Sequence, residues 1–136
     1  MIRVLVVDDI QLIRKRLSII LSEHSDVVVV AEASSGWEAI EEAKECQPDV
    51  VLLDISMPEL NGLQAAPLIK QVAPAAQILI VTHHNSHFFM RAAFAVGALG
   101  FLEKKNAGTE LLGAVKDVFS KRPFVSKSLQ SPTPGA

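Results

Sequence analysis

Three aspartates in this sequence follow two strongly apolar stretches. Asp8 and Asp9 end the run VLVVDD at residues 4–9, and Asp54 ends the run VVLLD at residues 50–54. Continuous apolar runs of this length are typical of strands that are buried on both faces of a parallel sheet. The carboxyl ends of parallel strands meet at one edge, where open α/β sheets build their sites. We therefore expect three carboxylates in one cleft, and they cannot all stay ionised there without cations.

A hard divalent cation suits such a cluster. Mg²⁺ prefers oxygen ligands and commonly uses one or two carboxylates, leaving other positions for waters and phosphoryl oxygens. A carboxylate such as Asp54 can accept a phosphoryl group as an acyl phosphate. Lys104 and Thr82 each follow a later apolar stretch. Lys104 would supply a compact positive charge to one phosphoryl oxygen, and the Thr82 hydroxyl would donate to another.

The elements that must position these residues alternate five times along the chain. Apolar runs predict strands at residues 2–7, 27–33, 50–53, 78–81 and 99–102. Helical periodicity predicts helices at residues 10–22, 36–45, 62–72, 86–96 and 109–119. Five βα units predict an α/β fold with a doubly wound, five-stranded parallel sheet.

Composition limits the remaining possibilities. We expect one domain at residues 1–120, followed by a linker or tail at residues 121–136 that is rich in proline and serine and in which Phe124 and Val125 dock back on the body. The net charge of -2, without a basic block, does not suggest direct nucleic-acid binding. The one cysteine, Cys46, fits a reducing cytoplasm, and no apolar run reaches membrane-spanning length.

Four groups of residues together resemble the receiver domain of two-component response regulators. They are Asp8 with Asp9, Asp54 followed by Met57, Pro58 and Gly62, Thr82, and Lys104 preceded by Phe101. The resemblance covers residues 2–119, and the stretches DDIQLIRKRL, THH and GALGFLEK are similar to receivers of the LuxR/NarL/FixJ kind. It implies a flavodoxin/CheY-like receiver fold, Mg²⁺ as cofactor and a sensor histidine kinase as partner. It also implies a C-terminal DNA-binding output domain that is missing from this chain.

The resemblance assigns ligands to the metal. It implies that Asp9 and Asp54 bind Mg²⁺ directly and that Asp8 acts through water. Ser56 would offer its backbone carbonyl as a third protein ligand. Phosphorylation would leave the site about one charge more negative and add acceptor oxygens, because the phosphoryl group brings nearly two negative charges.

The resemblance also implies a conformational switch made of Thr82 and Phe101. The extra negative charge would draw Thr82 inward, and Phe101, beside it on the fifth strand, would follow. Phe101 lacks the hydroxyl of the more usual tyrosine, but its apolar ring could still fill the vacated space. The alternative is that Phe101 is a fixed core residue, since buried phenylalanine is common.

A possible interface lies on the fourth helix. Phe88, Ala92 and Ala95 form an apolar stripe at positions i, i+4 and i+7, where related receivers usually carry charges. Such a stripe could serve a homodimer, an output domain or a partner protein. In the alternative, Phe88 folds over the loop after the fourth strand. Helices one and five offer a rival surface by family resemblance.

These observations predict a cytoplasmic, phosphorylation-dependent signalling switch that controls transcription through its output domain. It would catalyse only its own phosphorylation and slow dephosphorylation. One alternative is a stand-alone receiver that acts by protein contact. Another is an aspartyl-phosphate phosphohydrolase of the haloacid dehalogenase type, although that class has a second acidic residue where this chain has Ser56.

Overall fold

The computed structural model describes residues 1–130, so residues 131–136 of the predicted tail lie outside the described residues. The strands are β1 (Ile2–Val7), β2 (Val27–Ala33), β3 (Val50–Leu53), β4 (Gln77–Thr82), β5 (Gly100–Glu103) and β6 (Phe124–Val125). The helices are α1 (Gln11–Ser22), α2 (Gly36–Cys46), α3 (Gly62–Val72), α4 (His87–Ala95), α5 (Ala107–Phe119) and α6 (Lys127–Gln130). A 3₁₀ turn at Lys104–Asn106 leads into α5.

The sheet is parallel and has the order β2-β1-β3-β4-β5-β6. The strand order reverses between β1 and β3, and that is where doubly wound sheets bind their ligands. The predicted doubly wound α/β fold is confirmed, but the predicted count of five strands is wrong because β6 adds a sixth. β6 has only two residues, so it is too short to be recognised from an apolar run or an alternating pattern.

Two apolar layers cover the sheet, and alternate residues of each strand face opposite layers. Leu5 and Val7 of β1 pack with α2, α3 and α4, whereas Val4 and Val6 pack with α1 and α5. The same alternation runs through β3 and β4. Both faces of each central strand are therefore buried, which is why these strands are apolar without interruption.

Local capping fixes the helix that follows the β3 strand. Asn61 and Gln64 form a capping box, with each side chain accepting from the other's backbone amide, so α3 begins at Gly62. A Cβ atom at Gly62 would lie 2.0 Å from the Asp54 carbonyl oxygen. Glycine is therefore required for the start of α3 to lie against the end of β3.

Within residues 1–130, every helix is too short or too polar to cross a membrane.

Candidate functional site

The turn after β1 carries the acidic pair. Asp8 is buried, and Asp9 is exposed at the mouth of the cleft. The Ile10 amide donates to Asp8 Oδ1 at 2.9 Å, and Arg14 Nη1 donates to the Asp8 carbonyl oxygen at 2.7 Å. The first turn of α1 thus holds both the side chain and the backbone of Asp8 in place.

The carboxylate of Asp54 lies at the end of the neighbouring strand. Its side chain is only 4% exposed, and its amide donates to the Val7 carbonyl at 3.1 Å. One carboxylate oxygen from each of Asp8, Asp9 and Asp54 lies within 4.8 Å of the others. The predicted convergence of three carboxylates at one sheet edge is therefore observed.

Lys104 bridges the two buried carboxylates from the end of β5. Its Nζ lies 2.6 Å from Asp8 Oδ2 and 3.3 Å from Asp54 Oδ1. Within residues 1–130, the Lys104 ammonium is the one polar partner of Asp8 Oδ2. This charge pair leaves acceptor capacity on the Asp8 carboxylate, because a carboxylate oxygen has two lone pairs.

Burial raises the pKa of Asp54 above its ordinary value, because the surrounding protein disfavours the ionised carboxylate. The Lys104 ammonium opposes this shift, and the negative charges of Asp8 and Asp9 add to it. Three carboxylates share one lysine here, so the cleft lacks positive charge. That deficit makes the site receptive to a cation.

The donor set fits Mg²⁺. It consists of carboxylate oxygens alone, it is close enough to share one ion, and Asp8 Oδ2 has unused acceptor capacity. The proposed carbonyl ligand comes from Ser56, which stands two residues beyond Asp54 on the exposed loop after β3. The role of the Ser56 carbonyl as a metal ligand stays a prediction.

The predicted switch residues Thr82 and Phe101 are both fully buried. Thr82 Oγ1 accepts from the His84 amide at 3.2 Å. We expected Phe101 beside Thr82, but the parallel register pairs Thr82 with Glu103 and Phe101 with Ile80. The ring therefore lies one strand repeat below the threonine, inside the layer formed by α2, α3 and α4.

A bridge across the mouth of the cleft joins two loops. His84 Nε2 lies 2.7 Å from Ser56 Oγ, and its ring stacks on Phe89 with centroids 4.1 Å apart. His84 follows Thr82 by two residues, but nothing in the sequence points to Ser56 as its partner. Arg14 was also missed, and its one signal is its place on the first turn of α1.

The apolar stripe of α4 is largely open. Phe88 is 67% exposed and packs edge-on against Phe89, with ring centroids 5.4 Å apart. It does not fold over the loop after β4, so that alternative is wrong. Ala92 is partly exposed and Ala95 is exposed. Whether this stripe is an interface stays a prediction.

Comparison with known proteins places this geometry in a family. A family model described as the response regulator receiver domain matches residues 4–116. Response regulator GacA of Pseudomonas viridiflava is 34% identical over 129 residues, which make up 95% of this chain and 60% of GacA. Transcriptional regulatory protein LnrK of Bacillus subtilis is 35% identical over 120 residues, which make up 88% of this chain and 54% of LnrK. The chain thus spans less than two thirds of the length of either relative.

Solved structures agree with these matches. A two-component response regulator of the LuxR family from Aurantimonas sp. SI85-9A1 has a TM-score of 0.90 and 32% identity, with 95% of this chain and 92% of that chain covered. The resemblance to LuxR-type receivers is therefore confirmed over almost the whole described chain. From the family match and these relatives we conclude that this chain belongs to the response regulator receiver domain family.

Proposed function

We propose that Asp54 accepts a phosphoryl group from a sensor histidine kinase and that this modification switches the conformation of the domain. One observation carries the proposal: Asp54 is a buried carboxylate at the point where the strand order reverses, 3.3 Å from the Lys104 ammonium and beside two further carboxylates. An Asp54 oxygen forms a bond to phosphorus as the donor's phosphorus–nitrogen bond breaks.

The residues around Asp54 would neutralise and bind the phosphoryl oxygens. Asp9, Asp54 and the Ser56 carbonyl would hold Mg²⁺ directly and Asp8 would hold it through water, and the ion would neutralise charge on the phosphoryl oxygens. Lys104 releases Asp54 and pairs with one phosphoryl oxygen.

Thr82 gives its hydroxyl to another phosphoryl oxygen. That hydroxyl oxygen accepts from the His84 amide, and rotation of the side chain toward the phosphoryl group would break this bond. Phe101, which is buried in the layer formed by α2, α3 and α4, then follows Thr82, and the two residues act as the switch.

We propose that the kinase docks on α1. Leu12 and Ile19 are seven residues apart on one side of this helix and are 76% and 59% exposed. Leu12 stands three residues after Asp9, so the strip begins at the mouth of the cleft. An exposed apolar strip there suits the helical surface of a phosphodonor protein.

We also propose that the switch controls transcription in the cytoplasm, through a DNA-binding domain joined to this receiver. The support is that LnrK is named a transcriptional regulatory protein and that this chain spans 54% of its length. A stand-alone receiver that acts by protein contact is the alternative.

The phosphoacceptor is tested by incubating the chain with Mg²⁺ and acetyl phosphate and measuring intact mass. Wild type should gain one phosphoryl group, and Asp54→Asn should gain none. Asp117→Asn is the matched control, because Asp117 is a surface carboxylate paired with Arg122. Equal labelling of Asp54→Asn and wild type would refute the assignment.

A further inference from the structure

Residues 124–130 form a C-terminal segment that packs along the outer edge of β5. Val125 of β6 lies opposite Phe101, and the Ser126 amide donates to the Phe101 carbonyl at 3.0 Å. α6 follows, and its Leu129 side chain is buried in the layer formed by α2, α3 and α4. The segment therefore covers the edge at which β5 would otherwise end the sheet.

A buried polar network holds the segment in place. The fully buried Ser126 hydroxyl accepts from the Glu103 amide at 2.9 Å and donates to Glu110 Oε1 at 2.6 Å. Glu110 Oε2 accepts from the Lys127 amide at 3.0 Å, and Ser128 Oγ donates to Glu103 Oε1 at 2.6 Å. Hydrogen bonds to ionised carboxylates are stronger than those between neutral groups, so the bond from the buried Ser126 hydroxyl to the half-buried Glu110 is a main anchor of the segment.

The segment also contacts the beginning of α4. His87 Nε2 lies 3.2 Å from the Leu129 carbonyl oxygen, so this ring nitrogen must carry the proton for a hydrogen bond to form. His87 follows Thr82 by five residues, and the loop between them includes His84, which is bonded to Thr82 Oγ1. A short loop therefore connects Thr82 to the residue that contacts the Leu129 carbonyl.

Two anchors of the segment lie on β5, close to residues of the candidate site. Phe101 is the switch aromatic, and its own carbonyl holds the segment. Glu103 immediately precedes Lys104, whose ammonium contacts Asp8 and Asp54. The strand that carries Phe101 and leads into Lys104 therefore also holds the segment.

The segment is held mainly by side chains rather than by backbone pairing of its own. β6 has two residues and α6 has four, so few backbone hydrogen bonds hold either element. Short elements of this kind open locally well before the whole domain unfolds. The core of the sheet stays intact when they do, because β5 keeps its pairing with β4.

We propose that the C-terminal segment is a latch that favours the unphosphorylated conformation and that phosphorylation of Asp54 loosens it. This inference rests on the proposed function. When the Thr82 hydroxyl turns to the phosphoryl group, it releases the His84 amide, and the first turn of α4 shifts. His87 then loses the Leu129 carbonyl, and the segment detaches from β5. Its release frees the part of the chain from which a C-terminal output domain would continue.

Amide hydrogen exchange of the full chain tests the loosening. We expect the Ser126 and Leu129 amides to exchange at least about fivefold faster after Mg²⁺ and beryllofluoride, a mimic of the phosphoryl group, are added, which is the low end of typical coupling between sites. Amides of β3 serve as internal references and should not accelerate. Asp54→Asn should show no change with the same additions.

Coupling between two sites is reciprocal, so a weaker latch must favour the phosphorylated form. We expect Ser126→Ala and Leu129→Ala each to bind beryllofluoride with Mg²⁺ at least about fivefold more tightly than wild type. Ser22→Ala is the matched control, because its hydroxyl bonds only to Ile19 within α1. It should bind as wild type does.

The outcomes separate the latch from the function on which it rests. If wild type is phosphorylated at Asp54 while exchange of Ser126 and Leu129 is unchanged or slower, the latch is refuted and the proposed function stands. If Ser126→Ala and Leu129→Ala are both folded and bind beryllofluoride as wild type does or more weakly, the latch is also refuted. If Asp54 is never phosphorylated and binds no beryllofluoride, both proposals fall.

Discussion

At the scale of single residues, the site is defined by a shortage of positive charge. One buried lysine serves two buried aspartates, while the third carboxylate lies exposed beside them. Burial disfavours an ionised carboxylate, and like charges nearby disfavour it further. Its burial and the like charges around it therefore make Asp54 a source of instability when no cation is bound.

This instability has a definite pH dependence in metal-free protein. The pKa of Asp54 is raised in the folded state, so folded protein binds this proton more readily than unfolded protein does. The ionised side chain therefore lowers the free energy of unfolding at neutral pH, and the penalty fades as pH falls through the raised pKa toward the ordinary value. We expect Asp54→Asn to be more stable than wild type at pH 7 in the presence of a chelator, with the difference vanishing in acid.

Urea denaturation of both proteins across this pH range measures the difference. Asp117→Asn provides the control, since Asp117 is a surface carboxylate in an exposed ion pair, where a stability effect of at most about 1 kcal/mol is typical. A difference between wild type and Asp54→Asn that grows as pH falls would contradict this explanation.

At the scale of elements, contacts between loops and strand ends decide where the aspartates point. Gly62 is the clearest case, because α3 begins against the carbonyl of Asp54. We expect Gly62→Ala to lower the free energy of unfolding by roughly 1–3 kcal/mol, the usual penalty for forcing extra atoms into a packed site. It should also slow phosphorylation by acetyl phosphate, because the end of β3 must move.

Gly113→Ala is the matched control for that substitution. Gly113 lies within α5, and a Cβ there would meet nothing within 4 Å. Alanine should instead stabilise the helix by about 0.5–1 kcal/mol and leave phosphorylation unchanged. If both substitutions act alike in urea denaturation, close packing at Gly62 is not what positions Asp54.

The elements also explain what sequence reasoning could reach. The long apolar runs in the sequence were enough to identify the central strands, and β1, β2 and β3 begin and end where they were predicted. Parallel pairing then brought Asp8, Asp9 and Asp54 together without any further information. β6 could not be found in this way, because its pairing depends on buried bonds such as that of Ser126 to Glu103 rather than on a local pattern. The bridge between His84 and Ser56 was equally hidden, since it joins loops 28 residues apart.

At the scale of the whole molecule, the exposed apolar side chains divide between the two faces of the sheet. α1 packs on one layer with α5, and α4 packs on the other with α2 and α3. Leu12 is exposed on α1, and Phe88 is exposed on α4. One face could therefore receive the phosphoryl donor while the other contacts whatever responds to it.

This division predicts that two substitutions affect different functions. Leu12→Glu should slow phosphoryl transfer from the cognate kinase without altering labelling by acetyl phosphate, because it places a charge only in the docking strip.

Phe88→Glu should leave both reactions unchanged while weakening self-association or partner binding by the stripe formed with Ala92 and Ala95. Kinase transfer assays, sedimentation and partner pull-down in both phosphorylation states measure these effects. If Phe88→Glu behaves as wild type in every association assay, α4 is not the output face, and the surface of α1 and α5 must serve both roles.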